Sequence, residues 1–173
     1  MNAPVVGSVN KNDSGAANTD EIPSLLVPMA NAKLVLPTVS VAEMIPYQIP
    51  QARQTVVFDT IPDWYLGNLN WRGVSVPMLS YEQLNGEPAP EILPHSQILI
   101  LNNTGISPQL PFVCIPTQGI PRLSRIAVNE ISENTDAVLK EYDQMHVYVA
   151  GEQAAIPDLS KLERACVSML GFA

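Results

Sequence analysis

The stretch "GNLNWRGVSVPMLSYEQLNG", residues 67–86, decides how the rest of the chain is read. Val74 and Val76 alternate with smaller or polar neighbours, as in a strand with one buried face. "NWRG" ahead of them supplies a glycine for a tight turn and places a second strand at Trp64–Asn70, so the stretch begins as a hairpin. After Pro77 the alternation stops. Ser80 is a good N-cap, Leu84 follows it four residues later, and Asn85-Gly86 is a stop signal, so a short helix is expected over Ser80–Leu84. The same order of strand, turn, strand, proline and short helix returns in "VYVAGEQAAIPDLSKL", residues 147–162, with Asp158 in the capping place and Leu162 in that of Leu84. Two related lobes follow from the repetition, each a small barrel that shares apolar surface with the other.

Outward from these segments the chain reads as short runs of Val, Ile and Leu punctuated by Pro, Asn and Gly. Strands are expected at Leu25–Met29, Lys33–Leu36, Val39–Ile45, Trp64–Asn70, Val74–Leu79, Gln97–Asn102, Pro111–Pro116, Ile120–Ile126, Met145–Ala150 and Ala154–Pro157. The first two can close as a hairpin over "ANA", and the 16 prolines argue against long helices. One longer helix is expected after Asp158, with Leu159, Leu162, Cys166, Met169 and Leu170 on one stripe. Residues 1–22, rich in Asn, Ser, Gly, Ala and Asp, have no apolar periodicity and read as a disordered tail. The fold class is all-β, with 46% hydrophobic residues to build its core.

The charge balance narrows the partners. Nine Lys and Arg against 17 Asp and Glu give a formal net charge of -8, which repels a phosphate backbone, so nucleic acid is not an expected partner. No run is long and apolar enough for a membrane helix and the start lacks a signal-peptide pattern, which leads to the expectation of a cytoplasmic protein. Cys114 and Cys166 lie far apart in apolar surroundings without zinc-ligand spacing, and are expected as buried free thiols. Phosphate loops, dinucleotide glycine patterns, His-Glu-x-x-His and Gly-x-Ser-x-Gly are missing from the sequence, and no catalytic motif pairs His95 or His146 with a nucleophile. The acidic segment with Glu130, Glu133, Asp136, Glu141 and Asp143 lacks calcium-loop spacing and reads as a solvated face. Neither a metal site nor a cofactor is expected. Arg72 then has two readings, a turn residue that stacks or pairs locally, and part of a recognition surface.

The segment Gly67-x-x-Asn70-x-Arg72-Gly73, followed by an apolar strand, a proline and a short helix, resembles the hallmark of the CheW-like adaptors of bacterial chemosensory systems. "LVLPTVSVAEMI", "FVCIPTQGIPRL" and "IPDLSKL" resemble further segments of that family in the same order, and the likeness spans about residues 24–165. It implies two intertwined, five-stranded, SH3-like barrel lobes with short helices and a C-terminal helix in residues 23–170. It also implies no catalysis, and a scaffold joining the cytoplasmic tips of methyl-accepting chemoreceptors to the regulatory domain of a CheA-type histidine kinase. In such adaptors the arginine supports the receptor-contacting region and pairs with a glutamate, here Glu43. Ser80 and Gln118 stand where many members carry Asp, which suggests an accessory adaptor of a pilus-linked system. Ile98, Ile100 and Val113 are expected near an apolar groove between the lobes that receives a receptor helix. Two rivals remain at this point, a small hydrolase using His95 or His146 and a small-ligand-binding β-module.

Overall fold

A computed structural model describes residues 20–51 and 60–172. It contains eleven strands and two α-helices among the described residues: β1 (Glu21–Pro28), β2 (Lys33–Pro37), β3 (Val41–Pro46), β4 (Tyr65–Trp71), β5 (Val74–Leu79), α1 (Tyr81–Leu84), β6 (Gln97–Asn102), β7 (Phe112–Pro116), β8 (Arg122–Ala127), β9 (Ile131–Glu133), β10 (Asp143–Val149), β11 (Glu152–Pro157) and α2 (Leu159–Leu170). Short 3-10 turns at Thr38–Ser40 and Val128–Glu130 lead into β3 and β9.

The strands form two sheets, β8-β1-β2-β11-β10-β9 and β3-β6-β7-β5-β4. Their connectivity interlocks. The hairpin β1–β2 stays in the first sheet, whereas the chain after it crosses over and gives β3, β4 and β5 to the second. The hairpin β6–β7 in turn stays in the second sheet, and β8 to β11 return to the first. Each sheet has one parallel junction where the halves meet, Ala155 opposite Leu34 and Met78 opposite Cys114, and all other pairings are antiparallel. The internal repeat read from the sequence is therefore a structural repeat. Its two hairpins turn on Arg72-Gly73 and Ala150-Gly151, all four residues with positive φ (49°, 78°, 48° and 81°), as a type I′ turn requires.

Both faces of the strands near the junctions are buried, which explains apolar runs such as "ILIL" in β6. In β6 and β7, Ile98, Ile100 and Cys114 point into the second lobe with Leu69, Val76 and Met78. Leu99, Leu101, Val113 and Ile115 point the other way, into a central core with Val27, Leu34 and Leu36 of the first sheet. Leu26, Val35, Ile126, Val147, Val149 and Ala154 fill the first lobe. Helix α2 seals the central core with Leu162, Cys166 and Met169, each fully buried. Asp158 caps it by accepting from Lys161 N at 3.1 Å, as its sequence signals, and Gly171 ends it at φ 70°.

Three expectations are adjusted. The first lobe has six strands, since β9 is a three-residue strand too short to show a period. Strand β1 begins at Glu21, inside the segment read as tail, because residues 21–26 find partners along β8 that the sequence does not reveal. Val39 and Ser40, expected in the third strand, belong to the turn that precedes β3. Residues 1–19 of the expected tail lie outside the described residues.

The second lobe closes where the chain after β3 reaches β4, with Gln51 N donating to Asn68 O at 2.8 Å. This approach demands a glycine at 67. Its φ is +127°, and a Cβ there would lie 2.0 Å from the Gln51 carbonyl oxygen. Gly67→Ala is therefore expected to lower stability by about 1–3 kcal/mol from backbone strain plus the cost of displacing Gln51, with a clear drop in urea midpoint. Gly86→Ala, at φ +78° and with nothing within 4 Å, should cost less.

Cys114 and Cys166 are free and buried, and desolvation pushes both thiols far above their usual range. Neither should react with a thiol reagent at pH 8 until the protein unfolds. The raised folded pKa values also mean that the unfolded chain loses these protons first, so their contribution to stability is present below the ordinary thiol pKa and is lost as pH rises above it. Labelling at native rates equal to those in denaturant would contradict this burial.

Candidate functional site

The corner around Arg72 is built by the turn and by Glu43 of β3, the opposite edge of the same sheet. Trp71 Nε1 donates to Glu43 Oε2 at 2.5 Å, and Arg72 Nη2 lies 3.2 Å from the same oxygen. The Arg72 guanidinium also sits 5.0 Å from the centre of the Trp71 ring, and Trp71 packs edge-on to Phe112 with centroids 4.9 Å apart. The expected Glu43–Arg72 pair is thus present, but the Arg72 side chain is 69% exposed against 34% for Glu43. Solvent screens such a pair, and its contribution is about 0–1 kcal/mol. The more sheltered partner of Glu43 is the indole of Trp71, a contact between β3 and β4 that no local pattern announces.

Ile98, Ile100 and Val113 do not line a groove. Ile98 and Ile100 are fully buried inside the second lobe and Val113 lies in the central core, so none offers a side chain to a partner. Alternation along β6 and β7 separates two faces, and both are covered. An open apolar surface does lie on the first lobe. Ile22, Val35, Ile126, Val128, Ile131 and Ile156 line a groove of about 160 Å³ there. A larger cleft of about 500 Å³ lies beside the start of α2, with Ser40, Thr104, Gln144 and Arg164 among its lining residues.

Helix α1 carries a second feature absent from the sequence reading. Its Tyr81 hydroxyl donates to Asp143 of β10, which also meets His146 Nε2 at 2.7 Å. Burial and then Asp143 push the Tyr81 phenol far above its usual range. Asp143 is therefore buried and partnered, not part of the solvated acidic face, although Glu130, Glu133, Asp136 and Glu141 are exposed as expected. Beside this contact, Ala30 N donates to Glu82 Oε1 at 3.2 Å, Tyr142 N donates to Asn85 Oδ1 at 2.9 Å, and Lys140 pairs with Glu87. Glu163 of α2 does similar work elsewhere: its carboxylate accepts from Thr104 N and Oγ1, Ile106 N and Ser107 N at 2.5–3.3 Å, fixing the loop after β6. Their partners are distant in sequence and share no motif with them, so only the folded chain brings them together. His95 is exposed in its loop, and no group of three or more His, Cys, Asp or Glu suited to a metal occurs among the described residues.

The model of the CheW-like domain matches residues 23–165. The chain belongs to the CheW-like domain family. The same two-lobed architecture occurs in the crystal structure of the scaffolding protein TtCheW from Thermoanaerobacter tengcongensis, which covers 82% of this chain and 92% of that one with a TM-score of 0.65 at 14% identity. At that identity the likeness speaks for the fold. No curated protein matches the chain. Among the described residues, no helix is long and apolar enough to cross a membrane.

Within this CheW-like domain the two roles of position 72 separate. The backbone there is left-handed at φ 49°, which Asn tolerates and a β-branched residue does not. Arg72→Asn should fold with stability within about 1 kcal/mol of the parent, since a screened ion pair and an exposed contact with the Trp71 ring are lost. Arg72→Val should lose about 1–3 kcal/mol. Thermal melts of the two variants decide the matter, and equal melting temperatures would exclude backbone strain as the main constraint at this position.

Proposed function

We propose that this CheW-like chain is a non-catalytic scaffold of bacterial chemosensory signalling, acting in the cytoplasm. It holds the regulatory domain of a CheA-type histidine kinase and the cytoplasmic tip of a methyl-accepting chemoreceptor together. The observation that carries this reading is the family match across residues 23–165, joined to the two-lobed fold shared with a scaffolding protein. A scaffold needs two separable surfaces. The chain offers an open apolar groove on the first lobe, and a corner of half-buried Trp71 and exposed Arg72 on the second. We take Glu43 and Arg72 as support for the receptor-contacting region. Ile98, Ile100 and Val113 support the same region from beneath, as core.

The position of this adaptor among its relatives is proposed from Ser80 and Gln118, which stand where many members carry Asp and suggest a pilus-linked system driving twitching motility. Ser80 performs the capping that an Asp would perform, its hydroxyl accepting from Gln83 N at 3.3 Å. The small-ligand reading is weaker. The apolar groove, at about 160 Å³, falls below the roughly 300–1,000 Å³ of small-molecule sites, and the larger cleft has a polar lining where such sites are mostly apolar.

The test uses the purified chain with each partner fragment in turn. Both should bind with affinities no weaker than the order of tens of micromolar. Val128 is 72% exposed at the rim of the groove, so Val128→Glu spares the core. It should weaken one partner at least tenfold and leave the other and the melting temperature unchanged. Failure of both fragments to bind would overturn the scaffold reading.

A further inference from the structure

Helix α1 and its C-cap residue hold the buried side-chain polar atoms that lack a hydrogen-bonded protein partner among the described residues. Glu82 is 3% exposed, and its Oε1 is committed to Ala30 N at 3.2 Å, yet its Oε2 has no hydrogen bond. Asn85, one helical turn on, shows the complementary want. Its Oδ1 accepts from Tyr142 N at 2.9 Å, which fixes the amide orientation, and its buried Nδ2, near the Tyr81 hydroxyl, makes no hydrogen bond of acceptable geometry. Both residues line a small cavity of about 10 Å³ with Met29, Ala32, Tyr81 and Lys140.

The chemistry of that cavity is specific. A buried acceptor and a buried donor each carry the full cost of lost hydration unless something satisfies them. The volume admits about one water molecule, whose centre needs about 10–15 Å³. A cation would meet the donor Nδ2 and the Lys140 ammonium, which is already paired with Glu87, and an anion would meet Glu82 and Glu87. A water molecule can accept from Asn85 and donate to Glu82.

We propose that a single buried water bridges Glu82 Oε2 and Asn85 Nδ2 as a permanent part of the joint between the lobes. The position gives it that role. Helix α1 follows β5 of the second lobe, whereas Ala30 lies in the turn of β1–β2 and Tyr142 directly precedes β10, both of the first lobe. The water completes the polar layer formed by Tyr81–Asp143, Glu82–Ala30, Asn85–Tyr142 and Glu87–Lys140, which fixes how one lobe stands on the other.

The full chain tests this in two ways. A crystal structure at better than about 1.8 Å should show one ordered solvent peak within hydrogen-bond distance of both atoms. In solution, the Asn85 side-chain amide protons should show cross-relaxation with a water that stays for longer than nanoseconds, and Glu82→Leu should abolish it. The proposal is overturned if the cavity holds no density, if Glu82 and Asn85 bond directly to each other or to other protein groups, or if the water signal survives Glu82→Leu. Should that variant fail to fold, the crystal structure of the parent decides alone.

Discussion

The shared central core is the constraint on which the rest of the molecule depends. Leu162, Cys166 and Met169 lie on one stripe of α2, and they meet Leu34 and Leu36 from one sheet and Leu99, Leu101 and Ile115 from the other. Each large aliphatic side chain removed from water contributes about 1.5–3 kcal/mol, so a core assembled from both sheets and the helix binds the lobes more strongly than any surface ion pair does. That core is apolar and non-directional. It brings the lobes together without settling their angle, which the directional contacts of α1 with Asp143, Ala30 and Tyr142 and of Glu163 with residues 104–107 then specify.

This division of labour also explains what the sequence could reveal. Local signals were legible: Ser80 and Asp158 cap the helices, and Gly73 and Gly151 stand in the hairpin turns, because capping and positive φ are properties of a few adjacent residues. The two-lobed repeat was legible for the same reason, each copy being one contiguous hairpin and helix. The Glu43–Arg72 contact was reached through family resemblance, since no local pattern joins β3 to the β4–β5 turn.

What escaped the sequence was set by distant partners. Ile98 and Ile100 look like one face of a half-exposed strand, yet β6 is covered on both sides, so alternation lost its meaning there. Asp143 looked like one more member of an acidic run until Tyr81 and His146 folded against it. Strand β9 exists only because β10 presents an edge to residues 131–133. The open groove likewise joins residues from β1, β2, β8, β9 and β11, and no contiguous motif encodes it.

The exchange of strands between lobes bears on how the chain is made. During synthesis β1 and β2 emerge early but lack β8 and β11, while β3, β4 and β5 wait for β6 and β7. Neither barrel can close on the first half alone, so the nascent chain exposes unpaired edges and apolar faces until its last third has left the ribosome. Loop closure over such long separations slows folding and leaves intermediates open to association. A half-length fragment of this protein is consequently no half-protein: it would carry pieces of two lobes and the whole of neither, and cutting the gene between β5 and β6 separates no domain from another.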